Sequence, residues 1–196
     1  MRAVLQKVLR ASVSVDDRVV GEIGRGITVL VGISQHDTKE DMEYMAKKIL
    51  NMRVFDDAEG AMWKRSVQDE GLGVLLVSQF TLYGKTTKGN KPDFHEAMKS
   101  AESKQFFDDF VKRVGQLYDP SKVSTGEFGA MMQVSLVNDG PVTLELDSRK
   151  FSLRHEGSGQ GKDSEGQGAA AQGIRAGKGE FGNQRIDNFR YIFQNL

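Results

Sequence analysis

Two short stretches carry residues whose types and spacing could do chemistry: Ser78-Gln79-Phe80-Thr81 and Asn138-Asp139-Gly140-Pro141-Val142-Thr143. The first follows an apolar run, Val74 to Val77, and places two hydroxyls and an amide where a buried strand ends. Such groups must find partners in the fold or in a ligand. If the extended backbone continues to Leu82, Ser78 and Phe80 point to one side and Gln79 and Thr81 to the other. Bonding of these groups to nearby backbone is the plain structural account. In the second stretch Asn138 and Asp139 are turn formers, Gly140 admits backbone geometry closed to other residues, and Gly140-Pro141 is a site for a cis peptide bond. Taken alone, that stretch reads as a proline-containing hairpin turn between two alternating runs.

Other chemistry is sparse. The chain has no cysteine, which removes disulfides, thiol nucleophiles and thiolate metal sites together. His36, His95 and His155 show no metal-ligand spacing, and each reads as a surface or loop residue. No histidine, lysine or carboxylate falls within Ser78 to Leu82 to activate the Thr81 hydroxyl, which is a weak nucleophile without an adjacent base.

The elements that must position these residues follow from periodicity. Arg2 to Val8 and Ala11 to Val15 alternate as strands, and Asp16-Asp17 turns the chain into a strand over Arg18 to Ile23. Ile27 to Ile33 is a near-continuous apolar run, the pattern of a central buried strand. Met42, Met45, Ile49 and Met52 then recur at helical spacing behind Asp37 or Thr38 as N-cap, predicting an amphipathic helix against the sheet. Arg53 to Phe55 returns to strand, and Trp63 is expected to cover an edge of the core. Val74 to Leu82 follows as the strand bearing the first candidate stretch. Gly84 to Pro92 is a basic loop without an acid, positioned to meet a phosphate that reaches the strand end. Phe107, Phe110, Val111, Val114 and Leu117 mark a second amphipathic helix, closed by Pro120. Strands resume over Met131 to Val137 and Val142 to Leu146.

The organisation is therefore a mixed α/β domain over residues 1–147, a β-barrel-like and mostly antiparallel sheet with two helices packed on it. Residues 148–196 form a flexible, low-complexity tail, largely disordered, in which Ile186 to Leu196 is apolar enough to dock or to form a short helix. The tail holds eight Lys/Arg against five Asp/Glu, net +3, leaving −3 on residues 1–147. That balance excludes a broad nucleic-acid-binding surface on the domain and leaves DNA contact possible through the tail. No apolar run approaches the ~18 residues of a membrane span, and Met1 to Val8 lacks the pattern of a secretory leader. A cytoplasmic protein is expected.

Considered together, Ser78 to Leu82 (SQFTL) and Asn138 to Thr143 (NDGPVT) resemble the two signature motifs of the D-aminoacyl-tRNA deacylase family. The resemblance runs from Met1 to about Asp147 and includes Arg10 to Val15, Gly24 to Gly26, Lys88 to Pro92 followed by Phe94, and Phe128 to Val134. It implies a homodimer with active sites at the subunit interface, where Gly140-Pro141 of one copy, held cis, reaches into the other's pocket. It implies hydrolysis of the ester joining a D-amino acid, or glycine, to the 3′-terminal adenosine of tRNA, with no metal or organic cofactor. Catalytic roles fall on Ser78, Gln79, Phe80 and Thr81, and substrate binding with chiral selection on Asn138, Gly140, Pro141 and Thr143. For Thr81 the reading favours a backbone N–H that holds the oxyanion over direct attack by the hydroxyl. A DNA-binding protein acting through the basic tail, akin to a DNA-unwinding-element binding protein also described in this family, is the alternative.

Overall fold

The computed structural model describes residues 1–87 and 89–149. Lys88, His155, the expected tail disorder and the Ile186 to Leu196 segment lie outside the described residues. In chain order the elements are β1 (Arg2–Val15), β2 (Arg18–Ile23), β3 (Gly26–Gly32), α1 (Lys39–Asn51), β4 (Arg53–Phe55), β5 (Arg65–Ser66), the one-turn α2 (Val67–Glu70) and β6 (Gly73–Ser78). A 3-10 turn (Phe80–Tyr83) follows, then α3 (Ser100–Leu117), β7 (Val123–Thr125) and β8 (Gln133–Asp147).

β1 is the longest-reaching connection. The two alternating runs at the amino end form one continuous strand, which pairs antiparallel with β3 along Arg2 to Val8, with β2 along Ala11 to Val15, and with β8 from Arg2 to Ser14. Its burial changes phase at Val8: Ala3 and Leu5 face one hydrophobic cluster, whereas Val8, Ala11 and Val13 face a second. β6 lies parallel between β3 and β7 and feeds both clusters, Val74 and Leu76 on one side and Leu75 and Val77 on the other. That is why its sequence is apolar in both phases. β2 and β7 close the curl, where the Ser124 hydroxyl donates to the Glu22 carbonyl at 2.9 Å. The sheet is thus mixed and nearly closed, antiparallel around β1 and parallel around β6.

α1 and α3 cover the larger cluster with Met45, Ala46, Ile49 and Leu50 from one helix and Phe107, Phe110 and Val114 from the other. Thr38 is the N-cap of α1, and the Asp41 carboxylate accepts from its backbone N–H at 2.9 Å. Asp37 is used elsewhere, accepting from the Met1 ammonium at 2.7 Å. No helix among the described residues is long and apolar enough to cross a membrane.

Three sequence expectations change. β6 ends at Ser78, and the chain turns through Phe80–Tyr83 instead of extending to Leu82. The alternation of Ser78 to Thr81 across a strand therefore does not occur, because a 3-10 turn places side chains every third residue on one side. Trp63 does not cover the core: it is 49% exposed, at a positive φ of 61° in the turn between β4 and β5. Asn138 to Thr143 is not a hairpin turn but a bulge within continuous β8. Gln6 pairs with Thr143 and Val8 with Asn138, so Asp139 to Val142 stand opposite Lys7 alone. Packing also continues past Asp147. Ser148 is 2% exposed and its N–H donates to the Met1 carbonyl at 2.9 Å.

Burial separates the large aromatics energetically. Phe110→Ala should lower unfolding free energy by ~3–5 kcal/mol through lost burial and a cavity, whereas Trp63→Ala should stay within about 1 kcal/mol. Urea denaturation of the two variants checks both; equal losses would place Trp63 in the core after all.

Candidate functional site

The end of β6 is held by its neighbour β3. The Gln79 N–H donates to the Val31 carbonyl at 2.7 Å, one residue beyond the last strand pair, Val31 with Ser78. The chain then folds back tightly: the Leu82 N–H donates to the Gln79 carbonyl and the Gly84 N–H to the Thr81 carbonyl at 2.9 Å. This turn rests on Gly32. A Cβ there would sit 2.9 Å from the Leu82 Cβ, 3.1 Å from the Gln79 carbonyl oxygen and 3.3 Å from the Tyr83 ring. Only a residue without a side chain lets the turn lie this close to β3.

Ser78, Gln79 and Phe80 open onto a cleft of about 660 Å³, floored by Val31 and Ile33 of the β3 segment. Its walls come from Phe94, His95, Ala97 and Met98, from Lys99, Ser100 and Ser103 at the start of α3, and from Phe128 and Gly129. The volume suits a ligand of nucleoside size or larger. Phe80, 58% exposed, meets Phe94 edge-on at a centroid distance of 5.0 Å. An exposed phenylalanine held in place by a second ring offers a flat apolar surface to a planar ligand. Thr81 is exposed, and its Oγ1 accepts from the Gln79 side-chain amide at 2.6 Å. Among the described residues that is the one bond of its hydroxyl, and the partner is not a base. The first N–H groups of a helical turn have no acceptor within it, which leaves the Phe80 and Thr81 amides as donors at the head of this one.

The far rim is charged. His95 lies with Nδ1 2.5 Å from an Asp93 oxygen and Nε2 3.2 Å from a Glu96 oxygen, and Lys85 pairs with Glu96 at 2.8 Å. Hydrogen bonds from the His95 backbone and ring hold the Asp93 carboxyl below its ordinary value, and the Lys85 bond does the same for Glu96. Lys85 of the basic loop is thereby tied to the rim, paired with an acid from outside the loop. Gln35 and Met98 carry no functional signal in the sequence, and His95, which reads there as a surface or loop residue, lines the cleft. A signal for Phe94 existed in the family-like stretch after Pro92; for the others the lining arises only from packing.

Asn138 to Thr143 forms a second cluster. The Asn138 side-chain amide donates to Thr143 Oγ1 at 2.9 Å, and its carbonyl accepts from the Val142 N–H at 2.8 Å, fastening both ends of the bulge. Lys7 approaches Asp139 at 3.4 Å. Gly140 has φ +131°, where side chains are strained, and its bond to Pro141 is cis. Both residues are exposed. No residue of Asn138 to Thr143 lines the cleft, and neither does Thr81, so a single chain brings Ser78, Gln79 and Phe80 of the first motif to the cleft and leaves the second motif outside it.

The chain has known relatives. The family model described as D-Tyr-tRNA(Tyr) deacylase matches residues 4–147. D-aminoacyl-tRNA deacylase of Drosophila melanogaster is 52% identical over 148 residues, 76% of this chain and 92% of that protein. D-aminoacyl-tRNA deacylase 1 of Homo sapiens is 50% identical over 148 residues, 76% of this chain and 70% of that protein. A solved structure described as c-Myc DNA Unwinding Element Binding Protein superposes with a TM-score of 0.73 at 50% identity, covering 75% of this chain and 98% of its own.

Gly32→Ala should push the turn off β3, because the added methyl meets atoms that cannot all yield, at a cost of ~1–3 kcal/mol. Urea denaturation, with amide exchange of residues 79–84, is the check; a variant of unchanged stability and unchanged exchange in the turn would contradict the packing argument.

Proposed function

This chain belongs to the D-Tyr-tRNA(Tyr) deacylase family and is a hydrolase, and from that premise we propose that it cleaves the ester between a D-amino acid and the terminal adenosine of tRNA. The observation that carries the proposal is the Phe80–Tyr83 turn, which sets free backbone donors and an exposed ring at the mouth of one cleft. Attack of water on the ester carbonyl builds negative charge on oxygen, and preorganised N–H donors stabilise it. The Phe80 and Thr81 amides supply them. Ser78 and Gln79 position the adenosine end, its base against Phe80, and Lys99 with the first turn of α3 faces the terminal phosphate. Thr81 contributes its amide, since its hydroxyl bonds to an amide side chain and not to a base. The ribose 2′-hydroxyl of the substrate orients the attacking water. Cytoplasmic aminoacyl-tRNA is the pool on which such an enzyme acts.

Chiral selection is assigned to Gly140-Pro141. Because Asn138 to Thr143 stands outside the cleft of its own chain, the pair acts on the cleft of a second copy, in a homodimer with shared sites. Asn138 fixes the bulge at both ends, so the two backbone carbonyls form a rigid wall in the direction of an L side chain. A thousandfold preference needs only about 4 kcal/mol. Steric overlap at ~1–3 kcal/mol together with a lost hydrogen bond at ~1–3 kcal/mol reaches that figure. Glycine, with no side chain, passes.

A second reading, DNA binding through residues 148–196, draws on the net +3 of that segment and on the description of the solved relative. It requires that the full chain bind duplex DNA with a steep salt dependence; no binding at low salt retires it.

The deacylase reading is checked by matched D-tyrosyl-, L-tyrosyl- and glycyl-tRNA. Hydrolysis of the D and glycyl forms with the L form spared is expected, and rapid L hydrolysis would refute exclusion by Gly140-Pro141. In single-turnover assays a folded Thr81→Ala variant should keep its rate within about tenfold of the unmodified chain, whereas loss to background would make the hydroxyl the nucleophile. Substrate ending in 2′-deoxyadenosine should react far more slowly.

A further inference from the structure

The ring of Tyr83 closes the turn that carries the cleft's donors, and its surroundings are unusual. The residue is 3% exposed, and its hydroxyl is buried without a hydrogen-bond partner. What the ring has instead is two guanidinium groups over it, Arg2 at 4.8 Å and Arg149 at 5.6 Å from its centroid. The attraction is between cation and ring face, so the aromatic ring is the held part and the phenol oxygen is not. Burial pushes the hydroxyl well above its ordinary pKa, with the Asp37 carboxylate adding to the effect, and it stays neutral.

Both cations are themselves anchored. Arg2 donates from Nη1 to the Leu82 carbonyl at 3.0 Å and pairs with Asp147 at 3.6 Å. Arg149 donates from Nη2 to Ser34 Oγ at 2.6 Å, and its backbone N–H donates to Asp147 at 3.0 Å. Ser34 is fully buried, and its N–H donates to Asp37 at 2.7 Å. A planar guanidinium can bond at its edge and lie over a ring with its face at the same time, which an ammonium does less well. Neither Arg2, Tyr83 nor Arg149 lines the cleft. Both arginines also fall outside residues 4–147, the span of the family match.

We propose that Arg149, together with Arg2, is a positioning residue for the reaction: anchored on Ser34, it holds the Tyr83 ring from above and so fixes the Phe80–Tyr83 turn in the geometry its donors need. The inference rests on the reading of that turn as the reacting site. The second residue after Asp147 therefore serves catalysis from behind the turn.

The test uses the full chain and four variants: Arg149→Ala, Arg149→Lys, Tyr83→Phe and Tyr83→Leu. Two readouts are taken, amide exchange of residues 79–84 and single-turnover hydrolysis of D-tyrosyl-tRNA over a range of enzyme concentrations. In Arg149→Ala, exchange in the turn should rise about fivefold or more while β3 and α1 keep their protection. Its maximal rate should fall about tenfold or more at a half-saturating concentration within about twofold, as expected when donors are misplaced and binding is kept. Arg149→Lys, which keeps the charge and the stem, should fold and fall between Arg149→Ala and the unmodified chain. Tyr83→Phe should match the unmodified chain within about twofold, because the deleted oxygen makes no bond, and Tyr83→Leu should resemble Arg149→Ala. The inference is overturned if turn exchange and rate are unchanged in Arg149→Ala, if protection is lost uniformly across the domain, or if Tyr83→Phe is as damaging as Tyr83→Leu. It is likewise overturned if Arg149→Ala fails to fold and Arg149→Lys equals the unmodified chain in both readouts. Should the unmodified chain leave D-tyrosyl-tRNA intact, the deacylase reading fails by itself, and the exchange data still decide whether Arg149 holds the turn.

Discussion

The missing side chain at Gly32 is the constraint on which the rest depends. β3 and β6 run parallel, and the strand that leaves β6 must turn within a few residues or run out over solvent. Because nothing projects from Gly32, the Gln79–Tyr83 segment drops onto β3 with atoms about as close as packing allows. That contact ends the strand at Ser78, leaves the Phe80 and Thr81 amides at the head of a turn without an acceptor inside it, and buries Tyr83. A buried sheet becomes a surface with donors at this one step.

Support for the step comes from the whole length of the domain. β1 carries Arg2 at one end, and its bulge partner in β8 sits opposite Lys7. β8 returns to bring Asp147, Ser148 and Arg149 beside Met1 and Ser34. The amino-terminal residues, the last described residues and the turn after β6 therefore form one polar and aromatic knot behind the cleft. Its polar groups are bonded to one another, with the buried Tyr83 hydroxyl as the exception. A lone unsatisfied phenol is tolerable where the ring face gains two cation contacts.

The two motifs follow different physical logic. Ser78, Gln79 and Phe80 stand where a strand ends and line a cleft built by the same chain. Asn138 to Thr143 is an insertion into a paired strand, and its exposed glycine and proline serve nothing in their own chain's cleft. A bulge held at both ends by Asn138 is presented outward, as the proposed selection in a second copy requires.

Much was legible in order along the chain. Periodicity gave the strands from β1 to β3, both long helices and the double-sided burial of β6, because each is a local pattern that burial alone enforces. The family likeness was legible in two short runs of residues, because hydroxyl, amide, glycine and proline in that order are uncommon without a reason. Tertiary structure decided what these runs do. Whether the chain after Ser78 extends or turns depends on Gly32, more than forty residues earlier, and whether Asn138 to Thr143 is a hairpin or a bulge depends on β1 continuing unbroken past Lys7. Trp63 shows the same limit in reverse, since a large apolar residue says nothing of whether a turn will carry it outward. Amino-acid types set which groups were available for chemistry; contacts between segments distant in sequence set where those groups point, because only the packed chain fixes which backbone amides are left without a partner.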